Sequence, residues 1–97
     1  MITNQNNSRP LDIDAVRAFA LVAELASFTR AAQVSGTTQS AVSLKLKRLE
    51  ARLATRLIER TPRSVRLTAA GTGFLARARD LLAAHDRAIA EIGRAHV

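Results

Sequence analysis

Residues 28–50 read FTRAAQVSGTTQSAVSLKLKRLE, and the fold turns on this stretch. A short helix fits residues 28–35, where Ala31 and Ala32 are small enough to let a neighbouring helix approach closely. Gly36 supplies the backbone freedom of a tight turn, and Thr37 or Thr38 is placed to cap the next helix. Val42, Leu46, Leu49 and Leu53 then recur at steps of four, three and four, the inward stripe of an amphipathic helix. At about 100° per residue, Ser40, Leu44 and Lys47 fall roughly opposite that stripe, with Ser43 and Arg48 flanking. Small polar residues lead this helix and cations follow. That order suits a helix end pointing into something anionic.

Working outward, residues 1–10 are rich in Asn, Gln and Ser and close on Pro10, which reads as a disordered lead-in. Asp12 is placed as the cap of a first helix, with Leu11 and Val16 at the two positions of a hydrophobic staple. Val16, Phe19, Val22 and Ala23 carry its helical spacing to about Ala26, where Ser27 offers the next cap. Beyond Leu53 the period changes. Leu57–Arg60 and Val65–Leu67 are short apolar-rich pieces separated by Thr61, Pro62, Arg63 and Ser64, the pattern of a small β-hairpin. Thr68 then caps a long last helix whose apolar face holds Phe74, Leu75, Ala78, Leu81, Leu82, His85, Ile89 and Ile92. At roughly 24 residues this helix would run about 36 Å, more than so small a domain needs.

Composition narrows the function. The 97 residues suit one small domain, or a domain with one extra helix attached, and with three Phe and no Trp or Tyr its core must be Leu, Val, Ile and Ala. No Cys is present, so disulfides and thiolate metal sites are excluded, and His85 and His96 are too few for a zinc site. No catalytic constellation is visible, no cofactor motif is complete, and Gly71 and Gly73 open a helix without a Walker lysine. Apolar runs fall short of a membrane span and no signal peptide is apparent, which points to a cytoplasmic protein without a membrane partner. The formal net charge is +7. Residues 43–67 hold eight of the Lys and Arg against Glu50 and Glu59 alone. A charge run is usually a solvated face, but cations concentrated this way favour a polyanion.

A short helix, a tight turn, a second helix with a small polar N-terminus and a basic hairpin follow helix-turn-helix logic with a wing. Small side chains let such a helix enter the major groove, where Gln and Ser meet base edges. Lys and Arg on the flanks and wing neutralise phosphates, and an Arg at a wing tip suits the minor groove.

The run LDIDAVRAFALVAELASFTRAAQ, resumed at TTQSAVSLKLKRLEARLATRLIERTPRSVRLTAAG, resembles the N-terminal DNA-binding domain of LysR-type bacterial transcriptional regulators. The resemblance covers residues 11 to about 92, and SFTRAA, TQSAVS, KRLE and RTPRSVRLT are its most specific pieces. It implies a mainly α fold: a winged helix-turn-helix of three helices plus a two-stranded wing over residues 11–67, then a linker and dimerisation helix over 68–92. Residues 93–97 would be the end of a fragment whose effector-binding domain is absent. It also implies a homodimeric, sequence-specific regulator of double-stranded DNA, nucleoid-associated when bound. A full-length member would add a small-molecule effector and RNA polymerase as partners.

On that reading the recognition helix is about 38–53 and the wing about 57–67. The DNA-contacting residues are Arg30, Thr38, Gln39, Ser40, Ser43, Leu44, Lys47, Arg48, Arg60 and Arg63, with Gln39 and Ser43 the base readers and Arg63 at the wing tip. Thr38 caps the helix as well, Leu44 can touch a thymine methyl or simply be exposed, and Arg48 can meet a phosphate or pair with Glu50. The dimer interface is Phe74, Leu75, Ala78, Leu81, Leu82, His85 and Ile89. Four departures from the family pattern stand out. Ser35 and Thr37 occupy positions usually aliphatic, which predicts a looser turn; Ala54 stands for a usual Gly and Ile58 for a usual Phe; and Ala69 stands for the usual Pro at the start of the last helix. A protein-interaction module on the same scaffold, and a sequence-neutral nucleic-acid binder, are the competing readings.

Overall fold

The computed structural model describes residues 10–61 and 63–95. Pro62, residues 1–9 of the expected N-terminal tail and residues 96–97 of the expected chain end lie outside the described residues. The elements run α1 (Ile13–Leu25), α2 (Phe28–Ser35), α3 (Gln39–Leu53), β1 (Ile58–Thr61), β2 (Ser64–Leu67) and α4 (Ala69–Ala95).

Each helix starts where a side-chain oxygen satisfies an otherwise unpaired N–H. Asp12 Oδ1 accepts from the Asp14 N–H at 2.9 Å, Ser27 Oγ from Arg30 at 3.0 Å and Thr38 Oγ1 from Ala41 at 3.1 Å. Thr68 Oγ1 accepts from Gly71 at 2.9 Å and donates to the Arg56 carbonyl at 2.6 Å, so α4 is capped without the proline expected of the family. The first three helices end in the left-handed region, at Ala26 (φ 52°), Gly36 (φ 71°) and Ala54 (φ 54°). Only Gly36 takes that conformation freely; at the two alanines it costs about 1–2 kcal/mol each.

The turn after α2 is not loose. Gly36 and Thr37 donate their N–H groups to the carbonyls of Gln33 (3.2 Å) and Ala32 (3.0 Å), closing it tightly. What Ser35 and Thr37 change is packing. Both are exposed, and with Val34 they line an open hollow reaching Leu21 and Val42.

The core is aliphatic around one aromatic pair. Val16, Phe19 and Val22 of α1, Phe28, Ala31 and Ala32 of α2, and Val42, Leu46 and Leu49 of α3 are buried together. Phe19 meets Phe74 of α4 at 5.5 Å between ring centroids. The wing is antiparallel, with Ile58 opposite Leu67 and Arg60 opposite Val65, one residue later at β1 than the sequence pattern suggests. Leu57 remains buried but lies just outside β1, where its carbonyl accepts from the Thr68 N–H at 3.0 Å.

The last helix spans 27 residues, about 40 Å. Its apolar stripe divides in two, which corrects the assignment of the whole stripe to a dimer interface. Ala78 and Leu82 are buried against this chain's own core, and Phe74 and Leu75 are half-buried on it. Ala78 and Leu82 thus offer a second copy little surface to cover. Leu81 (37%), Ile89 (61%) and Ile92 (61%) are the large apolar side chains of α4 left exposed. The two parts meet at Arg17 of α1, which pairs with Asp86 at 2.9 Å. Arg17 first, then the neighbouring His85, hold the Asp86 carboxyl below the usual carboxylate range. His85 is thus half-buried beside Asp86 rather than an isolated apolar-face residue. Among the described residues no helix is long and apolar enough to cross a membrane.

Candidate nucleic-acid interface

Burial of Val42, Leu46 and Leu49 fixes the rotation of α3 about its axis. With that stripe inward, Ser40, Leu44 and Lys47 fall on the opposite face and Ser43 on its flank, while Gln39, about 50° from the stripe on the wheel, is exposed because it is the first residue of the helix. The small side chains of Ala31 and Ala32 seat α2 close beside α3, so the two helices present one edge. Thr29 of α2 donates its hydroxyl to Gln39 Oε1 at 3.3 Å. That contact engages Oε1 and leaves Gln39 its amide nitrogen as a further donor.

The wing is held against the same helix from two sides. Glu50 Oε2 accepts the N–H groups of Leu57 (2.8 Å) and Ile58 (3.1 Å), fastening the start of β1 to the last turns of α3. From β1, the Arg60 guanidinium lies 4.0 Å over the Phe28 ring, and Nη1 donates to Ser43 Oγ at 3.4 Å. A cation–π contact at an exposed site is worth about 0.5–1 kcal/mol. Arg60 therefore joins all three elements while its side chain remains exposed. The tip is knotted by Thr61, whose Oγ1 accepts from the N–H groups of Arg63 (3.2 Å) and Ser64 (3.0 Å).

The outcome is an open groove of about 570 Å³ lined by Gln39, Ser40, Ser43, Leu44, Lys47 and Arg60. Six of the ten residues expected to contact DNA thus share one surface. The other four sit elsewhere. Thr38 is engaged as the α3 cap, Arg30 is exposed near the start of α2, and Arg63 is exposed at the wing tip. Arg48 points off the groove, into a recess beside Pro10, Leu11 and Asp12. It does not pair with Glu50, whose carboxylate is taken by the wing backbone.

Three residues matter here that the sequence reading left out of the site: Phe28, Thr29 and Glu50. A signal was present for Glu50 alone. It is an acid within a basic window, set beside the inward stripe of α3. The roles of Phe28 and Thr29 depend on long-range placement of the wing and of α2.

Charge on this face is not cancelled by ion pairs among the described residues. Among the described residues the ion pairs are Arg17–Asp86, Arg77–Asp80 and His85–Asp86, and none involves a cation of α3 or the wing. No group of three or more potential metal-ligating side chains gathers among the described residues.

Comparison with known proteins agrees with this geometry. Residues 13–72 match the family described as bacterial regulatory helix-turn-helix protein, lysR family. The HTH-type transcriptional regulator DgdR of Burkholderia cepacia is 43% identical over 84 residues, 87% of this chain and 29% of DgdR. PecT of Dickeya dadantii (strain 3937), also an HTH-type transcriptional regulator, is 42% identical over 90 residues, 90% of this chain and 28% of PecT. The chain therefore spans less than a third of the length of these relatives. Among solved structures, the BenM_DBD/catB site 1 DNA complex superposes with a TM-score of 0.81 at 32% identity, covering 86% of this chain and 92% of that one. The CbnR_DBD–DNA complex gives 0.81 at 31% identity, covering 89% and 99%.

Proposed function

Because the chain belongs to the lysR family of bacterial regulatory helix-turn-helix proteins, we propose that it binds double-stranded DNA sequence-specifically as the DNA-reading part of a transcription regulator. The helix α3 enters the major groove and the wing lies on the adjacent minor groove. The observation that carries this is the shared groove, which gathers Gln39, Ser40 and Ser43 with Lys47 and Arg60, with no carboxylate among its described lining residues. The DNA complexes of BenM_DBD and CbnR_DBD, built on the same fold, support it.

The roles follow from side-chain chemistry. Gln39 and Ser43 donate to and accept from base edges, with Ser40 beside them, and Leu44 meets a thymine methyl. Lys47 and Arg60 neutralise phosphates, while Arg63 at the tip enters the minor groove. Arg30 and the N-terminus of α2 offer a phosphate both a charge and a helix dipole, and Thr38 adds its hydroxyl at the start of α3. The DNA-bound form is a homodimer, one half-site per copy, joined through α4. In a full-length regulator of this kind a small-molecule effector and RNA polymerase are further partners.

Selection of bound sequences from a random duplex pool tests the reading. Gln39→Ala should erode discrimination at one or two base positions by about 1–3 kcal/mol, and Arg63→Ala should weaken binding across many sequences. Wild-type preference and affinity in both variants would mean that another face does the reading. A wild-type chain that bound no duplex even at low salt would favour the interaction-module alternative. Equal affinity for every duplex would make it a sequence-neutral binder.

A further inference from the structure

The recognition helix has two flanks, and the wing covers one of them. Thr29 and Arg60 close the groove on the side of Gln39 and Ser43. Lys45, Arg48 and Arg52 fall together on the other side, centred about 140° round the helix from the middle of the groove face. These three line a single recess with Pro10, Leu11 and Asp12, a hollow of about 180 Å³. Asp12 is the one carboxylate among its described lining residues, and its Oδ1 is already engaged with the Asp14 N–H as the cap of α1. None of the ion pairs among the described residues involves the three cations. The recess is therefore electropositive and borders the face that reads bases.

A helix with its side chains is about 10–12 Å across and the major groove is about 12 Å wide, so a helix lying in it has a sugar-phosphate strand close on either side. The wing accounts for one side only. We propose that Lys45, Arg48 and Arg52 form a second phosphate clamp, gripping the strand on the side of the major groove away from the wing. Spaced at i, i+3 and i+7, they extend over about 10 Å of helix, which reaches more than one phosphate at about 3.4 Å of duplex axis per charge on a strand. The two-sided grip fixes the depth and rotation of α3, while base choice stays with Gln39 and Ser43. The inference rests on the DNA-binding reading above, and it gives Arg48, expected from the sequence to meet a phosphate, its place on this flank.

The test is a salt titration of the whole chain on a duplex selected from the random pool. Wild type is compared with Lys45→Gln, Arg48→Gln and Arg52→Gln, singly and together. Each phosphate contact contributes about 0.9 to the slope of log affinity against log salt. The triple variant should lose two to three units of slope and bind about a hundredfold more weakly near 0.1 M salt, with its preferred sequence unchanged. Neutral methylphosphonates placed on the far strand should weaken wild type and leave the triple variant unaffected. If the triple variant melts below wild type, the single variants carry the test, each with a slope change of about one. An unchanged slope overturns the clamp, and binding of an acidic peptide lost in the triple variant would give the recess to a protein partner instead. A wild-type chain that binds no duplex fails at the parent reading, a result separable from a clamp failure because Gln39→Ala then has nothing to change.

Discussion

Gly71 and Gly73 stand two residues apart at the start of α4 and answer to opposite constraints. A Cβ on Gly71 would collide with the Leu57 carbonyl, because the helix is drawn against the base of the wing by the Thr68 bonds to Arg56 and Leu57. Nothing within 4 Å obstructs a Cβ on Gly73. Gly71→Ala should cost about 3 kcal/mol, the upper end for overpacking, since the obstacle is backbone and cannot swing aside. Gly73→Ala should stabilise by about 0.5–1 kcal/mol, since it only removes the conformational entropy of a helical glycine. Urea unfolding of the two variants checks both signs; equal effects would mean that α4 does not press on the wing as described. The sequence made the pair visible at the start of a helix. Which of the two glycines is constrained depends on where residue 57 lies, and that is a long-range fact.

At the scale of elements, hydrophobic period and capping chemistry were legible because both are local. Asp12, Ser27, Thr38 and Thr68 cap the helices the spacing predicted, and Gly36 makes the turn. The inward stripe of α3 also fixed its outward face, so Ser40, Leu44 and Lys47 of the groove could be read from the chain alone. What was not legible is how elements are tied to one another. The wing has little core of its own, and Glu50 is its principal polar anchor, holding two backbone N–H groups from the last turns of α3. Hydrogen bonds to a charged group are worth about 1.5–3 kcal/mol, and removing a half-buried acceptor leaves its donors without a partner. Glu50→Ala should therefore lower stability by about 2–3 kcal/mol and speed amide exchange at Leu57 and Ile58, with Glu50→Gln intermediate. Protection unaltered at those two amides would show that the strand holds itself in place. On the proposed DNA-binding reading, a loosened wing would reduce affinity before it altered base preference, because the proposed base readers Gln39 and Ser43 sit on the other element.

For the whole molecule, the question is what α4 does beyond the domain it caps. A single apolar stripe runs its length, but the domain body is shorter than the helix, so only the first part of the stripe is covered within the chain. Ala78 and Leu82 are spent inside the chain; every described side chain from Asp86 to Gly93 is exposed. Sequence periodicity could not separate the two parts, because it records which residues share a face and not where the covering body stops. The Arg17–Asp86 pair marks that boundary. A dimer through α4 must then use Leu81, Ile89 and Ile92, whose exposure leaves apolar area for a second copy to cover. Ile89→Asp with Ile92→Asp should turn a dimer at micromolar concentration into a monomer by sedimentation equilibrium. Its melting temperature should match that of the dissociated wild type, because neither side chain packs on its own core. Binding to a duplex with two half-sites should fall steeply while binding to one half-site is retained, since the groove on α3 is untouched and only the linkage between copies is lost. Leu82→Asp separates the two uses of the stripe: it should unfold the domain itself, with loss of helix at any concentration. A double Ile variant that stayed dimeric would place the contact on another surface and remove the distal half of α4 from the account of how two half-sites are held together.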